Sequence, residues 1–318
     1  MIDNKTYDLI IIGGGPAGIT AGIYGARQRL NTLVITKSFG GQVARKAVAI
    51  ENYPGFEKIS GMELIKRFEK HLRRVIARSD GHKIDIERDE VVKLKKLKQG
   101  FLVLTKSRQK FQAKAVIIAS GADPKPLEVP GEKKFIGRGV SYCVQCDGPL
   151  FSNKTVAVLG SGNAGFETAI SLSKLVKKIY ILEYASEVIA DKENQERVKK
   201  INKVEIIANA VLKQIKGNQF VNSIIYQDRK TKKNITLYVE GVFVEIGSIP
   251  ATNFIRDLVG LNKKGEIKIN SKTCMTKTAG IFAAGDVSEI KDKQIIIAAG
   301  QGAKAALSAY EYLEKFQN

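Results

Sequence analysis

Unbroken apolar runs alternate with glycine-rich turns along this chain. Tyr7-Asp8-Leu9-Ile10-Ile11-Ile12 is a compact β-rich run and predicts a strand. Gly13-Gly14-Gly15-Pro16-Ala17-Gly18 follows, then a helical stretch from Ile19 to Arg29 and a second strand over Thr32–Thr36. Gly61 to Arg78 has helical spacing, with Leu64, Ile65, Phe68, Leu72, Val75 and Ile76 on its inner side. Glu90–Leu97, Phe101–Thr105 and Phe111–Ala113 predict hairpin strands, and Val116-Ile117-Ile118 predicts a further buried strand entering the turn at Gly121. The opening pattern then recurs. Thr155–Leu159 predicts a strand, Gly160-Ser161-Gly162-Asn163-Ala164-Gly165 a turn, Phe166–Leu175 a helix and Lys178–Leu182 a strand. Short strands and polar turns fill 206–244, a buried strand closes on Gly285-Asp286, and a helix is expected from about Gly300 to Lys315.

Strand, Gly-x-Gly-x-x-Gly, helix is the dinucleotide-binding arrangement in its required context. Gly13 makes the turn, Gly15 lets the backbone approach a pyrophosphate, and Gly18 permits close helix–strand packing. Gly160, Gly162 and Gly165 repeat the set. An acid that binds ribose hydroxyls is expected about twenty residues on. At the same offset the first copy has Thr36 and the second Glu183. The loop after Glu183, Tyr184-Ala185-Ser186-Glu187, supplies carboxylates and no cation to a ribose phosphate, so NADH is favoured over NADPH.

Cys143-Val144-Gln145-Cys146-Asp147-Gly148 is the one stretch in which redox chemistry can be written in side chains. Such a pair can close a small disulfide, and its thiolate can attack another disulfide. Asp147 could move the proton if burial raises its pKa. Half a zinc site is the rival, but zinc wants four ligands, and Cys274, His71 and His82 stand at no ligand spacing. No metal is therefore expected, and Cys274 is expected to be a small strand residue.

The 318 residues suit two domains, and the content of 44% hydrophobic and 26% charged residues describes a folded chain. No apolar run approaches the ~20 residues of a membrane span, and Met1–Lys5 leads straight into the first strand without a leader pattern, which points to the cytoplasm. The net charge of +20 raises nucleic-acid binding as a different class of function. The lysines are scattered, however (Lys93, Lys95, Lys96, Lys98; Lys230, Lys232, Lys233), and read as solvated surface or as attraction for an acidic protein partner. Nucleic acid is disfavoured.

With two dinucleotide motifs and a Cys-x-x-Cys-Asp between them, the chain resembles the low-molecular-weight thioredoxin reductases over residues 6 to 315. Gly40-Gly41-Gln42 and Glu51-Asn52-Tyr53-Pro54-Gly55 add to the likeness. Tyr142-Cys143, Cys146 to Phe151, Ile181 to Tyr184 and Lys293 to Ala298 look closer to the flavoprotein component of alkyl hydroperoxide reductase; that component's N-terminal thioredoxin-like domains are not expected here, so electrons would pass to a separate protein. The resemblance implies an α/β fold of two Rossmann-like three-layer domains. A nicotinamide domain at 117–247, carrying the Cys pair, would be inserted into an FAD domain at 1–116 and 248–318. It implies a homodimer in which domain rotation lets nicotinamide and disulfide reach one flavin. FAD would be met by Gly13, Gly15, Pro16, Ala17, Gly18, Thr36, Gly41, Gln42, Asn52, Val91, Gly121, Gly285, Asp286, Lys293, Gln294 and Ile295. The nicotinamide nucleotide would be met by Gly160, Gly162, Asn163, Ala164, Glu183 and Gly247. Cys146 would face the flavin, Cys143 would attack a thioredoxin- or glutaredoxin-like partner, and Asp147 would be the acid/base. A non-nicotinamide donor such as a ferredoxin, or service to a peroxiredoxin system, remains the alternative.

Overall fold

The computed structural model describes residues 6–46, 50, 52–78 and 84–315; Glu51 and His82 lie outside them. The chain divides into two compact units, one of 1–123 with 249–318 and one of 124–248. The expected boundary at 116–117 falls inside a strand that runs to Ile118, so the crossing comes several residues later.

In the first unit the elements are β1 (Thr6–Ile12), α1 (Pro16–Arg27), β2 (Thr32–Ile35), α2 (Gly41–Lys46), α3 (Gly61–Ala77), β3 (Ile84–Glu87), β4 (Val91–Lys96), β5 (Phe101–Thr105) and β6 (Lys110–Ile118). Among the described residues they build a seven-stranded sheet in the order β3-β2-β1-β6-β5-β4, with the later strand Ile281–Ala283 also on β6. The apolar run of β1 is explained by two cores. Leu9 and Ile11 pack toward the helices with Ala17, Ala21 and Ala305, while Ile10 and Ile12 pack toward Leu94, Val103 and Ile267. The two strands expected over Phe111–Ala113 and Val116–Ile118 are one strand, β6. Its first half pairs antiparallel with β5, and most of its length pairs parallel with β1. Helix α3 starts where Ser60 Oγ accepts from Glu63 N at 3.2 Å, a side-chain cap for a freed backbone donor. Leu64, Ile65 and Leu72 are buried on its inner face, and His71 is exposed.

Strand β7 (Ala122–Pro124) leads into the second unit. There follow α4 (Glu132–Phe135), β8 (Val140–Ser141), α5 (Val144–Asp147), β9 (Thr155–Leu159), α6 (Asn163–Leu172), β10 (Lys178–Leu182), α7 (Lys192–Lys199), β11 (Val204–Ile207), β12 (Ala210–Gly217), β13 (Val221–Asp228), β14 (Asn234–Leu237) and β15 (Gly241–Val244). The parallel sheet β11-β10-β9-β15-β8 is accompanied by an antiparallel sheet β12-β13-β14. The alternation seen in β1 returns in β9, where Val156 and Val158 pack on α6 and Ala157 and Leu159 face the core that includes Ile215 and Ile224.

β16 (Ser248–Pro250) returns the chain to the first unit, which β17 (Ile281–Ala283) and α8 (Ile295–Glu314) complete. Helix α8 begins five residues earlier than expected. The three isoleucines that suggest extended chain form its first turn, because Ile295 joins the small core of Ile50, Ile59 and Leu64 while Ala298 packs with Ala17. Packing overrides the β-branched preference here. Cys274 is fully buried in that same core but sits in a turn at φ 59°, not in a strand.

Candidate functional site

In the first unit the β1–α1 loop is held by contacts that only glycine allows. A Cβ on Gly13 would lie 2.1 Å from Ala119 O, and one on Gly18 would lie 1.9 Å from Gly13 O. Gly15, between them, faces open space just ahead of Pro16 and Ala17 in the first turn of α1. Gly41 and Gly121 also face open space, both at positive φ. Gln42 Nε2 donates to Ala122 O, and Asn52 Nδ2 donates to Gln294 Oε1 at 3.3 Å, so each bond ties together distant parts of the unit. Asp286 follows the Gly285 turn. Its half-buried carboxyl has no hydrogen-bond partner among the described residues, and burial raises its pKa. A carboxyl so placed suits a donor from a bound ligand, such as a hydroxyl of a polyol chain. Open backbone at Gly15, Gly41 and Gly121 together with this unpartnered acid fits a dinucleotide such as FAD.

Three of the expected contacts are committed elsewhere. Lys293 Nζ donates to Asp286 O at 3.0 Å and Ser288 O at 2.6 Å and pairs with Glu266 at 2.9 Å. Two of its donors therefore shape the turn after β17 and the third is held by Glu266, so none reaches outward. The Thr36 hydroxyl donates to Ser38 O at 2.8 Å, and the side chain fills the space a Cβ on Gly14 would need. Val91 is buried in the core beside Leu94 and can meet a ligand only through its backbone.

The second unit repeats the loop geometry. A Cβ on Gly165 would lie 2.0 Å from Gly160 O, and Gly162 faces open space. Asn163 Oδ1 accepts from Asp191 N, Ala164 is exposed, and Gly247 at φ 100° accepts from Lys125 N. Glu183 is only 5% exposed and is turned onto its own chain. It accepts from Ser161 N at 2.9 Å, Ser161 Oγ at 2.6 Å and Ala185 N at 2.8 Å. Burial pushes its pKa up, but these donors outweigh burial and hold it below the ordinary value. The acid is thus ionised, and it braces the glycine-rich loop.

Cys143 and Cys146 form a disulfide across the first turn of α5, with Cα atoms 5.3 Å apart. Cys146 N points at Cys143 Sγ at 3.2 Å, and Asp147 N donates to Cys143 O at 3.1 Å. Asp147 is half-buried, and burial raises its carboxyl pKa against the lowering effect of a 2.6 Å hydrogen bond from Ser141 Oγ. Ser141 Oγ also accepts from Cys143 N at 3.1 Å, so one buried hydroxyl ties the acid to the first cysteine.

Residues 7–306 match the family model described as pyridine nucleotide-disulphide oxidoreductase. The chain belongs to that family. As one of its members it is a disulfide oxidoreductase. It is 40% identical over 98% of its length to the F component of alkyl hydroperoxide reductase of Staphylococcus epidermidis, and spans 60% of that protein. The structure is similar to thioredoxin reductase from Streptococcus pyogenes MGAS5005, with TM-score 0.90, 36% identity, and coverage of 99% of this chain and 100% of that one. It is likewise similar to thioredoxin reductase from Giardia duodenalis, with TM-score 0.90, 29% identity, and coverage of 98% and 100%. These likenesses establish the thioredoxin reductase-like fold of this disulfide oxidoreductase.

Three site residues carry no signal in the sequence alone. Ser141 lies just before the Cys pair, and its role needs the β8–α5 turn. Glu245, after β15, accepts from Thr168 Oγ1 at 2.8 Å, and burial pushes it up to about 7. Its carbonyl lies 2.6 Å from where a Cβ on Gly160 would be. Arg229 reaches the loop after Glu183 from the end of β13. The loop itself supplies no cation, but the fold brings one.

Proposed function

We propose that the first unit holds FAD, that the second holds NAD(P)H with NADH favoured by Glu183, and that electrons leave through Cys143 and Cys146 to the disulfide of a thioredoxin- or glutaredoxin-like protein. The observation that carries this reading is the Cys143–Cys146 disulfide beside a half-buried Asp147 of raised pKa. When bound, FAD supplies a two-electron relay between nicotinamide and disulfide that no side chain can perform. In the reduced pair, the Cys143 thiolate attacks one sulfur of the partner disulfide. A mixed disulfide forms and the partner's other sulfur leaves as thiolate. Asp147 gives that thiolate a proton, then takes one from Cys146. Cys146 attacks Cys143 Sγ, releasing the second partner thiolate and restoring the disulfide. Two electrons have then passed to the partner. The Ser141 hydroxyl keeps Asp147 oriented through the cycle.

The chain works in the cytoplasm as a homodimer, and the likeness to the alkyl hydroperoxide reductase component makes a peroxiredoxin system one destination for the electrons. Purified protein should be yellow, lose its flavin colour anaerobically on titration with NADH, and then reduce a thioredoxin. Colour retained in both nicotinamides, but lost with dithionite, would move the donor to another protein. Bleaching without reduction of any thioredoxin-fold disulfide would remove the proposed partner class.

A further inference from the structure

Tyr184 follows Glu183 directly and is 61% exposed. Arg229, at the end of β13, sets its guanidinium carbon 4.1 Å from the centre of the Tyr184 ring and donates from Nη1 to Tyr184 O at 3.0 Å. The backbone fixes the same meeting. Arg229 N donates to Asn209 O at 2.8 Å, and Asn209 N donates to Ala185 O at 2.9 Å. Among the described residues, the bond to Tyr184 is the guanidinium's one hydrogen bond, which leaves most of its planar fork for a ligand. The turn beyond it, closed by Asp228 on Lys230 N and Thr231 N, adds Lys230, Lys232 and Lys233.

In this fold the adenosine ribose lies at the end of the second strand, which here is β10, beside Glu183 and Tyr184. Glu183 has its charge answered by three donors of its own chain. A ribose phosphate would therefore meet a compensated acid and an oriented guanidinium. Glu187, exposed on the same loop, is the opposing charge. Arginine matches phosphate geometry with two parallel hydrogen bonds.

We propose that Tyr184 and Arg229 form the adenosine subsite of the second unit, with Arg229 meeting a 2′-phosphate, so that the site accepts NADPH alongside NADH. This rests on the assignment of the second unit to the nicotinamide nucleotide.

The test is calorimetric binding of 2′,5′-ADP and 5′-ADP to the full-length, flavin-loaded protein, in wild type, Arg229→Gln and Arg229→Lys. Wild type should bind both ligands, with 2′,5′-ADP at most about tenfold weaker than 5′-ADP. Arg229→Gln should weaken 2′,5′-ADP about ten- to a hundredfold and 5′-ADP about threefold at most, while Arg229→Lys keeps part of the difference. The salt dependence of 2′,5′-ADP binding should also become shallower in the Gln variant. Wild-type protein that binds 5′-ADP but rejects 2′,5′-ADP overturns the inference and leaves the nucleotide assignment standing. So does equal weakening of both ligands by Arg229→Gln, which is the result of a purely structural arginine. Binding of neither ligand by wild type removes the assignment and the inference together.

Discussion

Proton flow at the redox pair depends on a balance at Asp147. Burial raises its pKa, and the Ser141 hydroxyl, which stabilises the ionised form, pulls it down. A carboxyl with a raised pKa keeps its proton toward neutrality and can hand it to a leaving thiolate, so the rate of partner reduction should fall as pH rises through that pKa. Asp147→Asn should cut turnover with a thioredoxin about a hundredfold and flatten this limb, while anaerobic flavin reduction by NADH is unchanged. Ser141→Ala removes the lowering hydrogen bond, so the limb should move to higher pH. A limb that stays in place in both variants, followed in stopped flow, would assign the proton to another group. The Cys-x-x-Cys-Asp motif was legible because its members are sequence neighbours. Ser141 was not, because a lone serine before a cysteine is ordinary until the turn between β8 and α5 aims it.

At the level of elements, glycines mark where backbones touch. A Cβ on Gly302 of α8 would lie 2.1 Å from Ala17 O, whereas one on Gly300 would meet nothing within 4 Å. Gly302→Ala should push α8 off α1, costing about 1–3 kcal/mol and loosening the flavin. Gly300→Ala should gain up to about 1 kcal/mol from helix propensity. Thermal melts and the ratio of flavin to protein absorbance read both, and equal effects would mean that α8 does not seat on α1 through Gly302. Where β15 ends, Glu245 is raised from 4.5 to about 7 by burial. A carboxyl raised on folding stabilises the protein below its unfolded pKa, and that contribution is lost as pH rises through about 7. Glu245→Gln keeps the oxygen that accepts from Thr168 and never ionises. It should therefore be more stable than wild type at about pH 8.5, by about 3 kcal/mol at most, with the gap closing near about pH 5. Urea titrations at both pH values decide it, and parallel curves would show that the carboxyl is already solvated. The strands and both glycine loops were readable from apolar runs followed by Gly-x-Gly-x-x-Gly. The start of α8 was not, because the β-branched run Ile295–Ile297 favours extended chain until Ile295 packs with Ile50 and Ala298 with Ala17.

At the scale of the whole molecule, the two units differ in how the chain makes them. Residues 124–248 are contiguous, and both of their hydrophobic cores are drawn from within that span. The first unit is assembled from two distant segments, and its central strand β6 needs β17 from the second of them. This inserted arrangement is legible in the sequence only through resemblance. What pairing over distance creates is not legible at all, as at Tyr184, whose arginine arrives from 45 residues away. Contiguity has a consequence for folding. A fragment of residues 124–248 should fold alone, because it carries its own cores and every strand of its parallel sheet. It should melt cooperatively, form the Cys143–Cys146 disulfide, bind 5′-ADP in calorimetry and remain colourless when FAD is added. The complementary fragment 1–123 should stay unfolded without 249–318, since β17 and α8 supply one flank of its sheet. A 124–248 fragment without a cooperative melt would mean that its cores are too small to stand without the first unit. A yellow one would place the flavin in the wrong unit.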